Sequence, residues 1–182
     1  MKPDPIPEFI LLKEFKGLSP DSREYQNAYD KVCNHPFVKS IESEQNDRGF
    51  WPPFHGRTED LIKRCLSIGL ERDHHCLRKV SDYLKKVLNN EESWDQFEKQ
   101  DNVRWWPEMF VPLVTAAMLS LTEPGSEILD LHRKRWAHFA KVAFSKGYYD
   151  HEEEARTQHE YFGFKTKRTI PAFGYYNLVL LA

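Results

Sequence analysis

No stretch of this chain approaches the roughly 18 consecutive apolar residues that a membrane-spanning helix requires, and none gathers the dense run of Lys or Arg that a nucleic-acid face requires. The formal charge of −2 fits that second exclusion. Cysteine is scarce: Cys33, Cys65 and Cys76 form no Cys-x-x-Cys pair and are odd in number, which suits reduced thiols rather than a disulfide framework. Apolar and polar residues nowhere alternate with period two for long, so strands are at most minor. Gly-rich phosphate loops, a Gly-x-Ser-x-Gly elbow and a His-Glu-x-x-His pair are all missing. The start, Met1-Lys2-Pro3-Asp4-Pro5-Ile6-Pro7, has Pro and Asp where a secretory leader needs an apolar run, so a cytoplasmic protein without a membrane span is expected.

Aromatic residues, by contrast, make up 14% of the chain. Side chains of that size must pack in a core or around a pocket. Residues 1–22 carry Pro3, Pro5, Pro7 and Pro20 and suggest an extended lead-in with one short apolar turn near Phe9–Leu12. Residues 23–182 suggest one helical domain, and the apolar end Asn177–Ala182, with no polar capping repeat, hints at truncation or at a partner over the last helix.

Spacing places the helices. Tyr25, Ala28, Tyr29 and Val32 form one stripe, and Asn34-His35-Pro36 breaks it and restarts a short helix ending near Gln45. Thr58 suits an N-cap for Leu61, Ile62, Cys65 and Leu66. Asp73 suits the start of a longer helix bearing Cys76, Leu77, Val80, Tyr83, Leu84, Val87 and Leu88. Met109–Leu121 is apolar on nearly every side and so belongs among other helices. Further helices are expected with Ile128, Leu131, Trp136, Phe139 and Val142 on one face, over Asp150–Tyr161, and from about Pro171.

Two segments repeat. Gln45-Asn46-Asp47-Arg48-Gly49-Phe50-Trp51-Pro52 aligns with Gln100-Asp101-Asn102-Val103-Arg104-Trp105-Trp106-Pro107, and each copy leads into a helix. Ile170-Pro171-Ala172-Phe173-Gly174 is a weaker third echo, with no matching Gln or Trp. A period of this size fits two helices and their connections, so the expected fold is all-α: tandem helical hairpins stacked in a row. In each joint the Trp caps an apolar seam, the Pro opens the next helix, and the Gln bonds backbone groups freed at a helix end.

Gln45-x-x-x-Gly49-x-Trp51, with Ile41 four residues before the Gln, resembles the QW-type repeat of squalene and terpene cyclases, whose architecture protein prenyltransferase β-subunits share. The resemblance implies an α/α-toroid-like arrangement, here a partial barrel or arc of about three hairpins, around an apolar, aromatic-lined cavity. The second copy departs from the pattern, with Arg104 in place of Gly and with Phe97, not a residue four positions back, preceding Gln100. The cyclases' Asp-x-Asp-Asp acid cluster and the Asp-Asp-x-x-Asp diphosphate–magnesium motif are missing.

The resemblance places Trp51, Phe54 and His55, then Trp105, Trp106, Glu108 and Phe110, then Phe173, Tyr175 and Tyr176, after turns whose helices line the cavity. These are the candidate ligand-binding residues, with His55 and Glu108 as polar groups in an apolar setting. Packing between hairpins is the competing account of all of them. Asp73-His74-His75-Cys76 contains metal-ligand types, but neighbours on one helix point about 100° apart. Asp73 as a cap, Cys76 in the core and exposed histidines are expected there, with no metal. Cys33 and His35 lack a third group, and His151, Glu152, Glu153, Glu154 and His159 suit a solvated face.

The expected function is binding of a small apolar or aromatic ligand on a concave face, with no cofactor indicated. A repeat scaffold that binds a protein partner, or self-associates through its last helix, competes with it. So does a cyclase- or prenyltransferase-related enzyme acting through His55, Glu108 or the acidic cluster at Asp150.

Overall fold

Helix starts in this chain are built from prolines and short polar side chains, which occupy positions where backbone N–H groups have no partner to lose. The computed structural model describes residues 4–96 and 103–182. Among the described residues the chain is all-helical, with no strand. It divides into two compact units, one ending at Val80 and one beginning at Ser81. The boundary falls inside a helix, where the sequence suggested one continuous domain from residue 23.

In the first unit, α1 (Pro5–Ile10) is capped by Asp4, whose carboxylate accepts the Ile6 N–H at 2.9 Å. A wide turn over Leu11–Phe15 follows. This segment was expected to be extended. Pro5 and Pro7 instead fall in the first helical turn, where a missing N–H costs nothing, so proline spacing there favours the helix. Phe9 is fully enclosed and meets Tyr25 edge-on, with ring centroids 5.0 Å apart. The lead-in is thus part of the core.

Helix α2 (Arg23–Cys33) is capped by Ser22 and α3 (Pro36–Glu44) by the His35 imidazole, whose Nδ1 accepts the Phe37 N–H at 3.2 Å. That bond assigns His35 a capping role. Helix α4 (Glu59–Ser67) follows, and α5 (His75–Leu88) carries the chain into the second unit. Thr58 is not the cap the sequence suggested. Its hydroxyl accepts the Trp51 N–H at 2.9 Å and donates to the Trp51 carbonyl at 2.5 Å, closing the turn that precedes α4.

The second unit is organised on α6 (Val111–Thr122), which buries Leu113 through Ser120 without a break, as its all-round apolar character led one to expect. It packs against α9 (Tyr175–Leu181) and α7 (Leu129–Ala143). Helix α8 (His151–Phe162) starts at an Asp150 cap and packs on α7. Its first turn was expected to be solvated throughout, yet Glu154 is fully buried. The Glu154 carboxylate accepts the Ala172 N–H at 2.6 Å and the Tyr149 hydroxyl at 2.7 Å. One turn on, buried Gln158 donates to the Ile170 carbonyl at 2.8 Å and accepts the Ile170 N–H at 3.1 Å. These inward polar groups hold the strap that leads to α9. Two free carbonyls of α9 are also met: Ser120 donates to Val179 and Arg133 to Leu180.

Gly49 has φ of +95°, and a Cβ there would stand 2.6 Å from the Lys79 carbonyl oxygen. Gly17, with φ of +59°, has open space around it. In denaturant unfolding, Gly49→Ala is expected to lose about 3 kcal/mol, combining the left-handed backbone penalty with overpacking. Gly17→Ala is expected to lose only about 1 kcal/mol, the backbone penalty alone. Equal losses would show that the Lys79 contact carries no weight.

Candidate functional site

The two aromatic turns make the same bond. The Trp51 indole N–H donates to the Ile41 carbonyl at 2.8 Å, and the Trp106 indole N–H donates to the Gln96 carbonyl at 3.2 Å. Each acceptor lies 10 residues upstream. Both tryptophans are buried, and each ties the end of one segment to the start of the next helix. In the first copy Gln45 completes the joint, donating from Nε2 to the Gly49 carbonyl at 2.8 Å and to the Cys76 carbonyl at 2.8 Å. The Cys76 bond links the end of α3 to the first turn of α5. Its counterpart Gln100, like Phe97, lies outside the described residues. Arg104 does not share the positive φ of Gly49, and its guanidinium pairs with Glu108 through two bonds of 2.5 and 2.8 Å.

The aromatic candidates separate into two groups. Trp51 and Phe54 are fully enclosed in the first unit, and His55 sits beside them with its Nδ1 2.6 Å from the Glu59 carboxylate. In the second unit Phe110 stacks on both Trp105 and Trp106, with centroids 5.2 and 5.0 Å away, and the two indoles are tilted to each other. Tyr176 meets Phe110 edge-on at 5.9 Å. Phe173 and Tyr175 are half exposed; Phe173 packs edge-on against Tyr149, away from the stack. Trp51, Trp106 and Tyr175 therefore have different surroundings, and Trp106 and Glu108 border a cavity of ligand size.

That cavity is a cleft of about 660 Å³ within the second unit, inside the usual range for small-molecule sites. Trp94, Trp106, Tyr161 and Phe162 supply aromatic surface, and His132 and Arg135 supply nitrogen. Trp94 is fixed by its indole N–H to the Thr115 hydroxyl at 3.2 Å. Arg135 donates to the Tyr161 hydroxyl at 3.0 Å and lies over the Tyr161 and Phe162 rings. His132 is 7% exposed, and its Nδ1 makes no hydrogen bond. Burial, and then the Arg135 charge, push its pKa down to about 4, so the imidazole is neutral at pH 7. A neutral imidazole in such a wall can accept or donate one hydrogen bond to a ligand.

Trp94, His132, Arg135, Tyr161 and Phe162 were not picked out from the sequence as site residues. His132 and Arg135 share the α7 face with Trp136, which reads as core, and only α8 brings Tyr161 and Phe162 opposite them.

A second polar cluster lies in the first unit. His74 precedes the first residue of α5, so the 100° separation of helical neighbours does not keep its ring from that of His75, and their centroids are 4.4 Å apart. His74 was expected to be exposed; it is 8% exposed. Its Nδ1 lies 3.1 Å from the Cys76 sulfur. Sulfur contacts with Cys33 and Cys76 push His74 up to about 10 against the opposing effect of burial. Cys65 and His74 together bring Cys76 down to about 5, whereas the Cys65 thiol, acting as donor, is raised. Cys76 is fully enclosed, so this polarised sulfur is held away from any substrate. Glu42, His74 and His75 offer three ligand atoms within 4.8 Å of one another.

The depressed His132 pKa has a measurable consequence. In the unfolded chain the imidazole takes up its proton near its ordinary value of 6.5, and in the folded chain only near 4. Stability should therefore be unaffected by this group above pH 6.5 and fall as pH drops from there toward 4, by up to about 3 kcal/mol. His132→Leu should flatten that part of the profile in urea unfolding; an unchanged slope would show that His132 is not held neutral. No family model, curated protein or solved structure matches this chain.

Proposed function

We propose that the second unit binds a small apolar or aromatic ligand in the cleft between α7, α8 and the Trp106 turn. The observation that carries this reading is a cleft of ligand size in which Trp94, Trp106, Tyr161 and Phe162 supply aromatic surface beside the His132 imidazole and the Arg135 guanidinium. Clefts of this size with apolar walls and a few polar groups are the common form of small-molecule sites. Arg135 adds positive charge beside the same rings, which suits a ligand with an anionic or carbonyl group at one end.

This reading takes over the apolar ligand implied by the cyclase- and prenyltransferase-type resemblance but assigns it to one unit. The toroid lineage itself remains an inference from Gln45–Trp51. Binding is favoured over chemistry because the groups named for catalysis have local partners. His55 pairs with Glu59 in the first unit, Glu108 with Arg104, and Asp150 caps α8 and meets Lys146 at 2.7 Å.

The test uses 8-anilinonaphthalene sulfonate, an aromatic anion that matches the cleft in both respects. It should bind the native protein at a single saturable site and quench tryptophan emission. Leu131 lines the cleft and is 61% exposed, so Leu131→Trp should obstruct the entrance while leaving the core intact. Loss of at least tenfold in affinity with unchanged near-ultraviolet dichroism is expected. Equal binding by this variant would overturn the assignment.

A further inference from the structure

Glu42 lies on α3, next to the Trp51 acceptor Ile41 and three residues before Gln45, and its two carboxylate oxygens have different surroundings. Oε2 accepts a bond from Lys39 Nζ at 3.0 Å. Oε1 is buried and accepts no hydrogen bond. It faces two imidazole nitrogens instead, His74 Nε2 at 3.4 Å and His75 Nε2 at 3.5 Å. Those separations are too long, or too poorly directed, to make hydrogen bonds of the ordinary 2.7–3.2 Å kind.

They do match another geometry. Ligand atoms about 2.0–2.2 Å from a zinc ion at tetrahedral angles lie about 3.3–3.6 Å from one another. The two measured edges fall in that interval, and all three ligand atoms lie within 4.8 Å. The surroundings also orient the ligands as metal sites do. His74 Nδ1 is occupied by the Cys76 sulfur at 3.1 Å, which leaves Nε2 as its coordinating nitrogen, and Lys39 holds the far oxygen of Glu42. The Gln45 bond to the Cys76 carbonyl fixes the end of α3 against the start of α5, where the two histidines sit.

We propose that Glu42 Oε1, His74 Nε2 and His75 Nε2 form a binding site for a divalent transition-metal ion, with zinc the ion that best suits two imidazoles and one carboxylate. Three protein ligands leave the fourth position to water. His75 is half exposed, so solvent reaches the ion on that side. Coordination satisfies the one buried carboxylate oxygen of α3 that has no hydrogen bond.

The experiment uses the full chain, stripped with chelator and titrated with cobalt(II), which reports four-coordinate geometry through its visible d–d bands. One cobalt per chain, displaced by zinc, is expected. His75→Ala removes a half-exposed ligand, and Glu42→Gln keeps the shape of the side chain; each should weaken binding by more than the roughly 10–100-fold that an outer-shell contact is worth. His138→Ala, an exposed histidine of the second unit, should bind like the parent. Zinc should raise the melting temperature of the parent and not of His75→Ala, while the two melt alike without metal. A parent chain that gives no d–d bands, or a His75→Ala variant that binds cobalt as the parent does, would overturn the proposal.

Discussion

The first unit depends on one constraint: the end of α3 must be tied to the first turn of α5. Three residues of the Gln45–Trp51 turn achieve this together. Gln45 bridges two carbonyls with one amide nitrogen, one of them on Cys76. Gly49 gives the backbone a positive φ where any side chain would strike Lys79. Trp51 fills the seam and returns its indole N–H to Ile41. With these ends joined, Glu42 faces His74 and His75, and Cys76 faces Cys65 and His74. The polar chemistry of this unit follows from the joint.

The second unit solves a different problem. Its central helix is buried along most of its length, so neighbouring elements must satisfy whatever polar groups it carries. Trp94 bonds Thr115, Ser81 donates to Thr122 at 2.8 Å, and Ser120 reaches Val179. Trp105 Nε1, His132 Nδ1 and Asn177 Oδ1 depart from that pattern, being buried without a hydrogen bond. The His132 side chain also lines the cleft, together with Arg135 and four aromatic rings.

Much of the helical order could be read from spacing, because periodicity, proline positions and caps act locally. Ser22, Pro36 and Asp150 open helices where local rules place them. The repeat was legible too, and its two indole bonds have the same reach although one glycine has become arginine. What could not be read depends on packing at a distance. Proline spacing near Pro5 fits an extended segment and a first helical turn equally well, and only the burial of Phe9 decides between them. The histidines at 74 and 75 look divergent if both are taken as helical; the helix begins one residue later, which turns the rings together. Glu154 resembles its exposed neighbours Glu152 and Glu153 until the strap from Ile170 to Ala172 crosses it. For the candidate cleft, Trp106 and Glu108 were visible in the motif, whereas His132, Arg135 and Tyr161 have no local signal that separates them from an ordinary amphipathic face.

The Glu154 and Gln158 clasp bears on how α9 finds its place. Apolar side chains such as Val179 and Leu180 would accept several sliding positions along α6, since contact between aliphatic surfaces has little directional preference. The clasp permits one. A shift of the strap by a single residue would strip a buried carboxylate of its N–H donor and leave an amide without either of its partners, a cost of several kcal/mol. The docking position of the last helix is therefore encoded upstream, on α8. Its own residues have to be apolar and of suitable size, while two polar side chains before it supply the address.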